Sequence, residues 1–175
     1  MKIIVINGTA ESGKDTFVKM VQNHSSEEVF NISSIDPVKE LMVKCGWSRQ
    51  DKSDEARACM AQIKAILVDR LDGPFWYVNQ KIDEIRYFSP DAIVFVHVRE
   101  PKEIEKLKWA YGADCTTLLV EKKVLRIPNN AADRNVHQFE YEIYISNNGS
   151  LVDLDLQALS FTTFLEEKFE MAKAA

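Results

Sequence analysis

The sequence has little of what marks secreted, membrane-spanning or nucleic-acid-binding proteins. Its three cysteines, Cys45, Cys59 and Cys115, are odd in number and lack metal-ligand spacing, so we expect free thiols in a reducing cytoplasm. A formal net charge of -5 excludes general binding to nucleic acid, which needs a surplus of Lys and Arg against phosphates. The apolar start, residues 1–6, is too short for a signal peptide or a membrane span. We therefore expect a cytoplasmic protein that binds neither membranes nor nucleic acid.

The chain has the length and pattern of one α/β domain. Its 175 residues are 46% hydrophobic, and no repeat, low-complexity tract or linker divides them. Short β-branched runs alternate with segments of helical periodicity, which predicts a three-layer α/β/α fold around a mostly parallel sheet. Strands are predicted at residues 2–7, 28–33, 92–98, 116–121 and 141–146. Helices are predicted at residues 14–24, 37–45, 53–71, 75–87, 101–112 and 154–169.

Spacing also predicts which large side chains are buried. Apolar residues with a 3.6-residue period form one face of the predicted helix 53–71, which we expect to pack inward. They are Ala56, Cys59, Met60, Ile63, Ile66 and Leu67. We expect the three tryptophans, Trp47, Trp76 and Trp109, in the core or in a pocket wall rather than stacked on a base.

A phosphate-binding loop is predicted between the first strand and the first helix, where the sequence reads GTAESGKDT. Its Gly8 and Gly13 allow backbone N–H groups to turn toward phosphate oxygens, and Lys14 adds a positive charge for the outer phosphates. The helix that follows offers its unpaired N–H groups to the same anion. The alternative is a glycine-rich turn with a solvated lysine. The candidate phosphate-binding residues are Gly8, Thr9, Ala10, Glu11, Ser12, Gly13, Lys14, Asp15 and Thr16.

Asp15 stands where most such loops have a Ser or Thr that binds Mg²⁺. Thr16 comes one residue later, so its hydroxyl points elsewhere on the helix. Asp15 can hold Mg²⁺ through water, because Mg²⁺ keeps several waters and uses few carboxylates. It can equally be a favourable acid in the first helical turn. Both interpretations stay open, and the candidate metal ligands are Asp15 and Thr16.

Four segments spread along the chain carry a family resemblance. They are SGKDT (12–16), IDPVKE (35–40), VREPKEIEKLKWAYGAD (98–114) and ISNNGSLVDL (145–154). Through them the chain resembles the deoxynucleoside monophosphate kinase family of T-even phages, within the P-loop kinase superfamily. The resemblance implies a parallel five-stranded sheet, ATP as phosphate donor, Mg²⁺, and a small monophosphate acceptor. Animal-type phosphomevalonate kinases share the Ser-Gly-Lys-Asp loop, which leaves the acceptor open.

The resemblance also implies roles for residues outside the loop. Arg99 would face the acceptor phosphate, which its planar fork can bind bidentately; the alternative is a surface salt bridge with Glu103. Asp36 and Lys39 would lie in an acceptor-side loop, although Asp36 can also be a helix N-cap. Arg57 and Arg70 bracket the helix beside the acceptor site and can equally lie on an exposed charged face.

The segment 122–140 lacks clear periodicity and is a candidate lid over the phosphates. Its arginines, Arg126 and Arg134, would meet the transferring phosphate, or would simply be solvated. Asn148 follows the last strand, where the superfamily usually places the donor base, but Asn-Gly is also a turn signal. We expect a single domain over residues 1–175 that acts as a monomer or a homodimer.

The sequence departs from the family pattern at two places. His97 stands where the family has an Asp at the end of the central strand, and a neutral histidine organises Mg²⁺ poorly. The lid reads His137-Gln138-Phe139-Glu140 instead of His-x-Ser-Glu, and His137 is most simply a surface histidine. These departures keep two alternatives open: a nucleotide-binding protein with weak or no catalysis, and a kinase for a non-nucleotide phosphate such as phosphomevalonate.

Overall fold

The predicted strands form one five-stranded sheet in a computed structural model, which describes residues 1–51, 53–123 and 135–174. The strands lie in the order β2-β3-β1-β4-β5, and each neighbouring pair runs parallel. All carboxyl ends therefore meet at one edge, where ligands of α/β proteins bind. The bounds are β1 Lys2–Asn7, β2 Val29–Ser33, β3 Ile93–His97, β4 Cys115–Glu121 and β5 Ile143–Ser146.

Helices cover both faces of the sheet, so the predicted three-layer fold is confirmed. In the described residues they are α1 Lys14–His24, α2 Asp36–Lys44, α3 Asp54–Leu71, α4 Gly73–Phe88, α5 Pro101–Tyr111 and α6 Leu151–Ala174. Short 3-10 turns lie at Gly112–Asp114 and Val136–Gln138. Among these described helices, we find none with the length and apolar composition needed to cross a bilayer.

Helix starts follow local chemistry at most positions. The Ser53 hydroxyl accepts a hydrogen bond from the Ala56 N–H at 3.2 Å and caps α3. A proline lies in the first turn of three helices: Pro37 in α2, Pro74 in α4 and Pro101 in α5. The N–H groups of a first turn have no partner within the helix, so proline costs no hydrogen bond there. The N-cap alternative for Asp36 is wrong, because α2 begins at Asp36 itself.

Two apolar layers hold the helices on the sheet. On one face, alternate residues of β1, β3 and β4 pack against α4 and α5, with Val78, Ile82 and Ile104 among the buried side chains. On the other face, α1 and α6 pack through Phe17 and Phe161, whose ring centroids are 5.6 Å apart. The alternation follows from the strand geometry, which points successive side chains to opposite faces. Strands with both faces covered explain the nearly continuous apolar runs in the sequence.

The burial expected for α3 is wrong in part, since Met60, Ile63 and Leu67 are only half-buried. Ala56 is buried, but Cys59 is exposed and the side chain of Ile66 is 63% exposed. The reason is that α3 packs mainly beside α2 and α4 instead of lying across a sheet face. The expectation for the tryptophans is also wrong in part, since Trp76 and Trp109 are exposed.

Candidate functional site

The predicted loop connects the carboxyl end of β1 to the start of α1, and its two end glycines are sterically required. A Cβ on Gly8 would lie 2.5 Å from the Val120 carbonyl oxygen, and a Cβ on Gly13 would overlap the side-chain amide of Asn147. Gly13 also has a φ of +95°, which L side chains rarely adopt. At both positions the backbone therefore lies closer to neighbouring atoms than a residue with a Cβ would allow. This close packing fixes the course of the loop between β1 and α1.

Lys14 lies across this loop. Its Nζ donates to the carbonyl oxygens of Gly8 and Thr9, each at 2.7 Å. Ser12, which is buried, has its hydroxyl oxygen 3.4 Å from the same Nζ. The ammonium group is thus held at the loop, next to the positive end of the α1 dipole. Phosphate oxygens placed there would meet both charges.

Two asparagines fix the loop from outside, and sequence reasoning did not assign them this role. The buried Asn7 accepts the Gly8 N–H at 2.8 Å and donates to the Tyr141 hydroxyl at 2.6 Å. Asn147 donates its side-chain amide to the Ser12 carbonyl oxygen at 2.9 Å. The loop is therefore tied to the segments that follow β4 and β5. A polar Asn at the end of an otherwise apolar strand was the available signal for Asn7.

A cavity of about 580 Å³ opens on one side of the loop. Asn148, the residue predicted to lie near the donor base, lines it, and its side chain also accepts from the Lys123 N–H at 2.6 Å and donates to Ser146 at 2.9 Å. Lys122 and Lys123 bring positive charge that the sequence reasoning missed. The lining residues are Glu11, Gly13, Thr16, Lys122, Lys123, Asn147, Asn148, Gly149 and Leu151.

A second pocket of about 290 Å³ lies between α2, α3 and the segment that joins them. The structure brings two of the predicted acceptor-side cations together there, Lys39 and Arg57, and adds Arg49. The wall includes Trp47, as expected for that tryptophan. The lining residues are Lys39, Trp47, Arg49, Asp51, Arg57 and Met60. Three cations around one small pocket suit an anionic ligand.

Other predicted acceptor residues are placed differently. Asp36 accepts from the Ser33 N–H at 2.9 Å and from Lys39 Nζ at 3.1 Å, so it orders the turn after β2. Arg70 lies thirteen residues beyond Arg57 on α3, about 20 Å along the helix, and pairs with Asp69 at 3.0 Å. The structure does not bring Arg70 to the second pocket.

Arg99 follows β3 by two residues, close to the loop. Its carbonyl oxygen accepts from Asn7 at 3.3 Å, which ties its backbone to the end of β1. The next residue, Glu100, pairs with Lys64 of α3 at 2.6 Å, a contact that the sequence did not predict. Glu103, the partner considered for Arg99, pairs with Lys106 at 2.9 Å.

Part of the candidate lid lies outside the described residues, including Arg126 and Arg134. Of its remaining residues, Val136 is buried in the core, whereas His137 is exposed with its Nδ1 3.8 Å from Glu121. The surface position expected for His137 is therefore what the structure gives.

His97 ends β3 and faces the first turn of α1. Its Nε2 is buried, has no hydrogen-bond partner within residues 1–51, 53–123 and 135–174, and lies 3.7 Å from a carboxylate oxygen of Asp15. Burial lowers the pKa of His97 to about 4, and the nearby Asp15 charge only partly opposes this. The imidazole is therefore neutral at physiological pH, and the two side chains form no ion pair there. An uncharged nitrogen stands where the resembling family has a carboxylate.

Asp15 and Thr16 diverge, as the spacing predicted. The Asp15 side chain faces the end of β3 and is 82% exposed, while Thr16 lines the 580 Å³ cavity. Within the described ranges there is no group of three or more His, Cys, Asp or Glu able to hold a metal ion. A divalent ion at this loop would therefore rely on one or two side chains together with phosphate oxygens, which is how Mg²⁺ is usually bound.

The fold is that of the P-loop kinases, with the phosphate loop after β1 of a parallel sheet. The chain is similar to a gluconokinase from Sinorhizobium meliloti 1021, with a TM-score of 0.55, 11% identity and coverage of 98% of this chain and 97% of that one. It is also similar to an unliganded sugar kinase from Janibacter sp. HTCC2649, with a TM-score of 0.52, 14% identity and coverage of 91% and 93%.

No family model and no curated sequence matches the chain. At these identities, the structural likeness establishes the shared fold alone.

Proposed function

We propose that the protein is an ATP-dependent phosphotransferase and that its acceptor is a (deoxy)nucleoside monophosphate. The observation that carries the proposal is the phosphate loop, with Lys14 held across it, at the sheet edge that also carries the other candidate residues. The 580 Å³ cavity beside the loop has the polar lining and added lysines of a nucleotide site. The 290 Å³ pocket has the cations needed for a second, anionic ligand.

The donor phosphates would lie in the loop. Backbone N–H groups of residues 9–16 and the Lys14 ammonium would neutralise the β- and γ-phosphates, supported by the α1 dipole. The donor base would lie in the larger cavity beside Asn148. Because phosphoryl transfer depends mainly on positioning and charge neutralisation, this set supplies most of what the donor half needs.

The acceptor would approach from the opposite side of the loop. Lys39, Arg57 and Arg99 are the cations proposed for its phosphate, and Arg49 adds a fourth that the sequence did not suggest. Trp47 offers an apolar wall for the rest of the acceptor. Arg126 and Arg134 remain proposals for the transferring phosphate, whereas the distant Arg70 is no longer part of the proposed site.

Mg²⁺ would accompany the donor and neutralise charge on its phosphates. The exposed carboxylate of Asp15 suits contact with such an ion through water, and the neighbouring Nε2 of His97, which has no hydrogen-bond partner in the described part of the chain, is a second candidate metal ligand. The residues present therefore fit a divalent ion held largely by phosphate.

The decisive experiment is an ADP-release assay with ATP·Mg²⁺ and a panel of common (deoxy)nucleoside monophosphates. Phosphomevalonate, gluconate and simple sugars belong in the panel, since a gluconokinase and a sugar kinase share the fold. Turnover with one nucleoside monophosphate at least tenfold above the other acceptors is the expected result. Tight ATP binding without turnover of any nucleotide would refute the nucleotide-kinase proposal.

The same assay is applied to two lysine variants of α1. Lys14→Met removes the loop ammonium, and we expect ATP affinity and turnover to fall by at least about tenfold, corresponding to 1.4 kcal/mol. Lys19→Met changes an exposed lysine of the same helix and should leave both unchanged. Equal effects of the two substitutions would show that the loop does not bind phosphate.

A second candidate is a nucleotide-binding protein with little or no catalysis, and the neutral His97 favours it. His97→Asp separates the two candidates. If ATP binds the native protein without turnover and the variant gains turnover, the histidine accounts for the missing activity. If both proteins turn over the same acceptor, the non-catalytic candidate is excluded.

A further inference from the structure

His97 is the least explained polar group near the phosphate loop. Among the residues that the structure describes, its Nε2 has no hydrogen-bond partner although the atom is buried, and an unpaired buried polar atom is unfavourable. Asp15 Oδ1 lies 3.7 Å from this nitrogen, which is too long for a hydrogen bond. The imidazole nitrogen and a carboxylate oxygen thus lie close together without a hydrogen bond between them.

We propose that His97 Nε2 and Asp15 together form the protein's half of the divalent-cation site and that this site prefers Mn²⁺ over Mg²⁺. The inference rests on the proposed function, because nucleotide phosphates would complete the coordination. On this proposal His97 contacts the metal ion directly, so the exchange of the family's carboxylate for an imidazole changes the metal ligand and does not remove it.

The geometry of the pair is compatible with a shared ion. Metal bonds to histidine nitrogen and carboxylate oxygen are each about 2.0–2.2 Å, so two ligand atoms of one ion lie at most about 4.4 Å apart. The observed 3.7 Å falls within that limit. Asp15 is 82% exposed, which leaves its carboxylate room to adjust. Backbone pairing of β3 with both β1 and β2 keeps His97 in place.

The donor types determine the expected metal preference. Mg²⁺ favours oxygen ligands and near-ideal octahedral geometry, whereas imidazole nitrogen is a common ligand for more readily polarised divalent ions. Replacing a carboxylate by an imidazole therefore moves the preference away from Mg²⁺. Mn²⁺ accepts both oxygen and nitrogen ligands and carries an electron spin, which makes it the suitable probe.

The test is pulsed EPR on the full-length protein with Mn²⁺ and ADP, using protein labelled with ¹⁵N at histidine alone. A ¹⁵N coupling to the bound Mn²⁺ is the expected result, and it cannot come from adenine or lysine nitrogen. Bound Mn²⁺·ADP without that coupling overturns the inference and leaves the proposed function standing. Failure of Mn²⁺·ADP to bind overturns both.

Variants add a quantitative arm that does not depend on turnover. We expect His97→Asp to lower the ratio of Mn²⁺ to Mg²⁺ affinity, measured with ADP, by about tenfold or more. His24→Asn is the matched control, because His24 Nε2 also contacts a carboxylate, Asp155 at 2.9 Å, but at the far end of α1. An unchanged ratio in folded His97→Asp protein, or the same change in His24→Asn, contradicts the assignment.

Discussion

Tyr141 should couple the stability of the domain to the shape of the phosphate loop. Its hydroxyl accepts from Asn7 at 2.6 Å and donates to the Val136 carbonyl oxygen at 3.0 Å, and both bonds are buried. Asn7 in turn accepts the Gly8 N–H, at the first residue of the loop. Burial raises the pKa of Tyr141 to about 12, so the hydroxyl stays protonated at neutral pH.

Tyr141→Phe retains the ring and removes only this hydroxyl. The Val136 carbonyl oxygen loses its hydroxyl donor, while the Asn7 amide keeps its bond to Arg99 at 3.3 Å. Leaving one buried group unsatisfied costs about 1–3 kcal/mol, and the second lost bond adds about 1 kcal/mol. We expect the free energy of unfolding to fall by about 2–4 kcal/mol, which lowers Tm by about 4–16 °C in a chain of this size.

The measurement is urea unfolding, combined with ATP binding by calorimetry. Tyr87→Phe is the control, because Tyr87 is 82% exposed and its substitution should stay within about 0.5 kcal/mol. We also expect Tyr141→Phe to weaken ATP binding about threefold to tenfold through Asn7, equivalent to about 0.7–1.4 kcal/mol. A stability change no larger than that of Tyr87→Phe would refute the reasoning about both bonds.

Three further predictions use other contacts. Gly13→Ala should lower nucleotide affinity and remove about 1–3 kcal/mol of stability. The control is Gly46→Ala: Gly46 has a similar φ of +92°, but a Cβ there would meet no neighbouring atom, so this substitution should affect stability through backbone strain alone. Burial lowers the pKa of His97 to about 4, so between pH 6.5 and 4 the unfolded chain takes up a proton that the folded protein does not. The free energy of unfolding should therefore fall by up to about 3 kcal/mol over this range. Urea titrations of His97→Asn should show no such loss. Burial raises the pKa of Cys115 from 9.0 to about 12, so stability should fall as pH rises through that range, and less in Cys115→Ala.

Each of these has a result that would contradict it. Equal nucleotide affinity in the two glycine variants would mean that the contact at Gly13 is unimportant. An acid-stability profile unchanged by His97→Asn would mean that the histidine ionises freely in the folded protein. An unchanged alkaline profile in Cys115→Ala would place the titrating group elsewhere.

The sequence was sufficient where structure depends on contiguous residues. The strand, loop and helix around Gly8 and Lys14 lie within one short segment, so their apolar pattern and spacing predicted the geometry. The first helix was predicted at the bounds observed for α1. The helix predicted at residues 75–87 is observed as α4, Gly73–Phe88, which lies on the sheet with one face covered.

Prediction failed where contacts join distant segments. Asn7 and Tyr141 are separated by 134 positions, and Lys64 and Glu100 by 36, so no local pattern indicates either pair. The periodicity of α3 predicted an apolar face but could not say what would cover it. Ile66 is exposed because α3 flanks other helices instead of a sheet face.

The charges around His97 explain why a neutral residue there is compatible with phosphate binding. Asp15 and Asp36 contribute negative fields at the imidazole, and Lys14 and Lys39 contribute positive ones. A carboxylate at position 97 would leave three acids against two lysines, which would repel an incoming phosphate unless a metal ion arrived with it. With histidine the charges balance before any ligand binds. His97→Asp should therefore make nucleotide binding more dependent on divalent metal. A substitution that merely damaged the site would instead reduce the benefit that the metal gives to nucleotide binding.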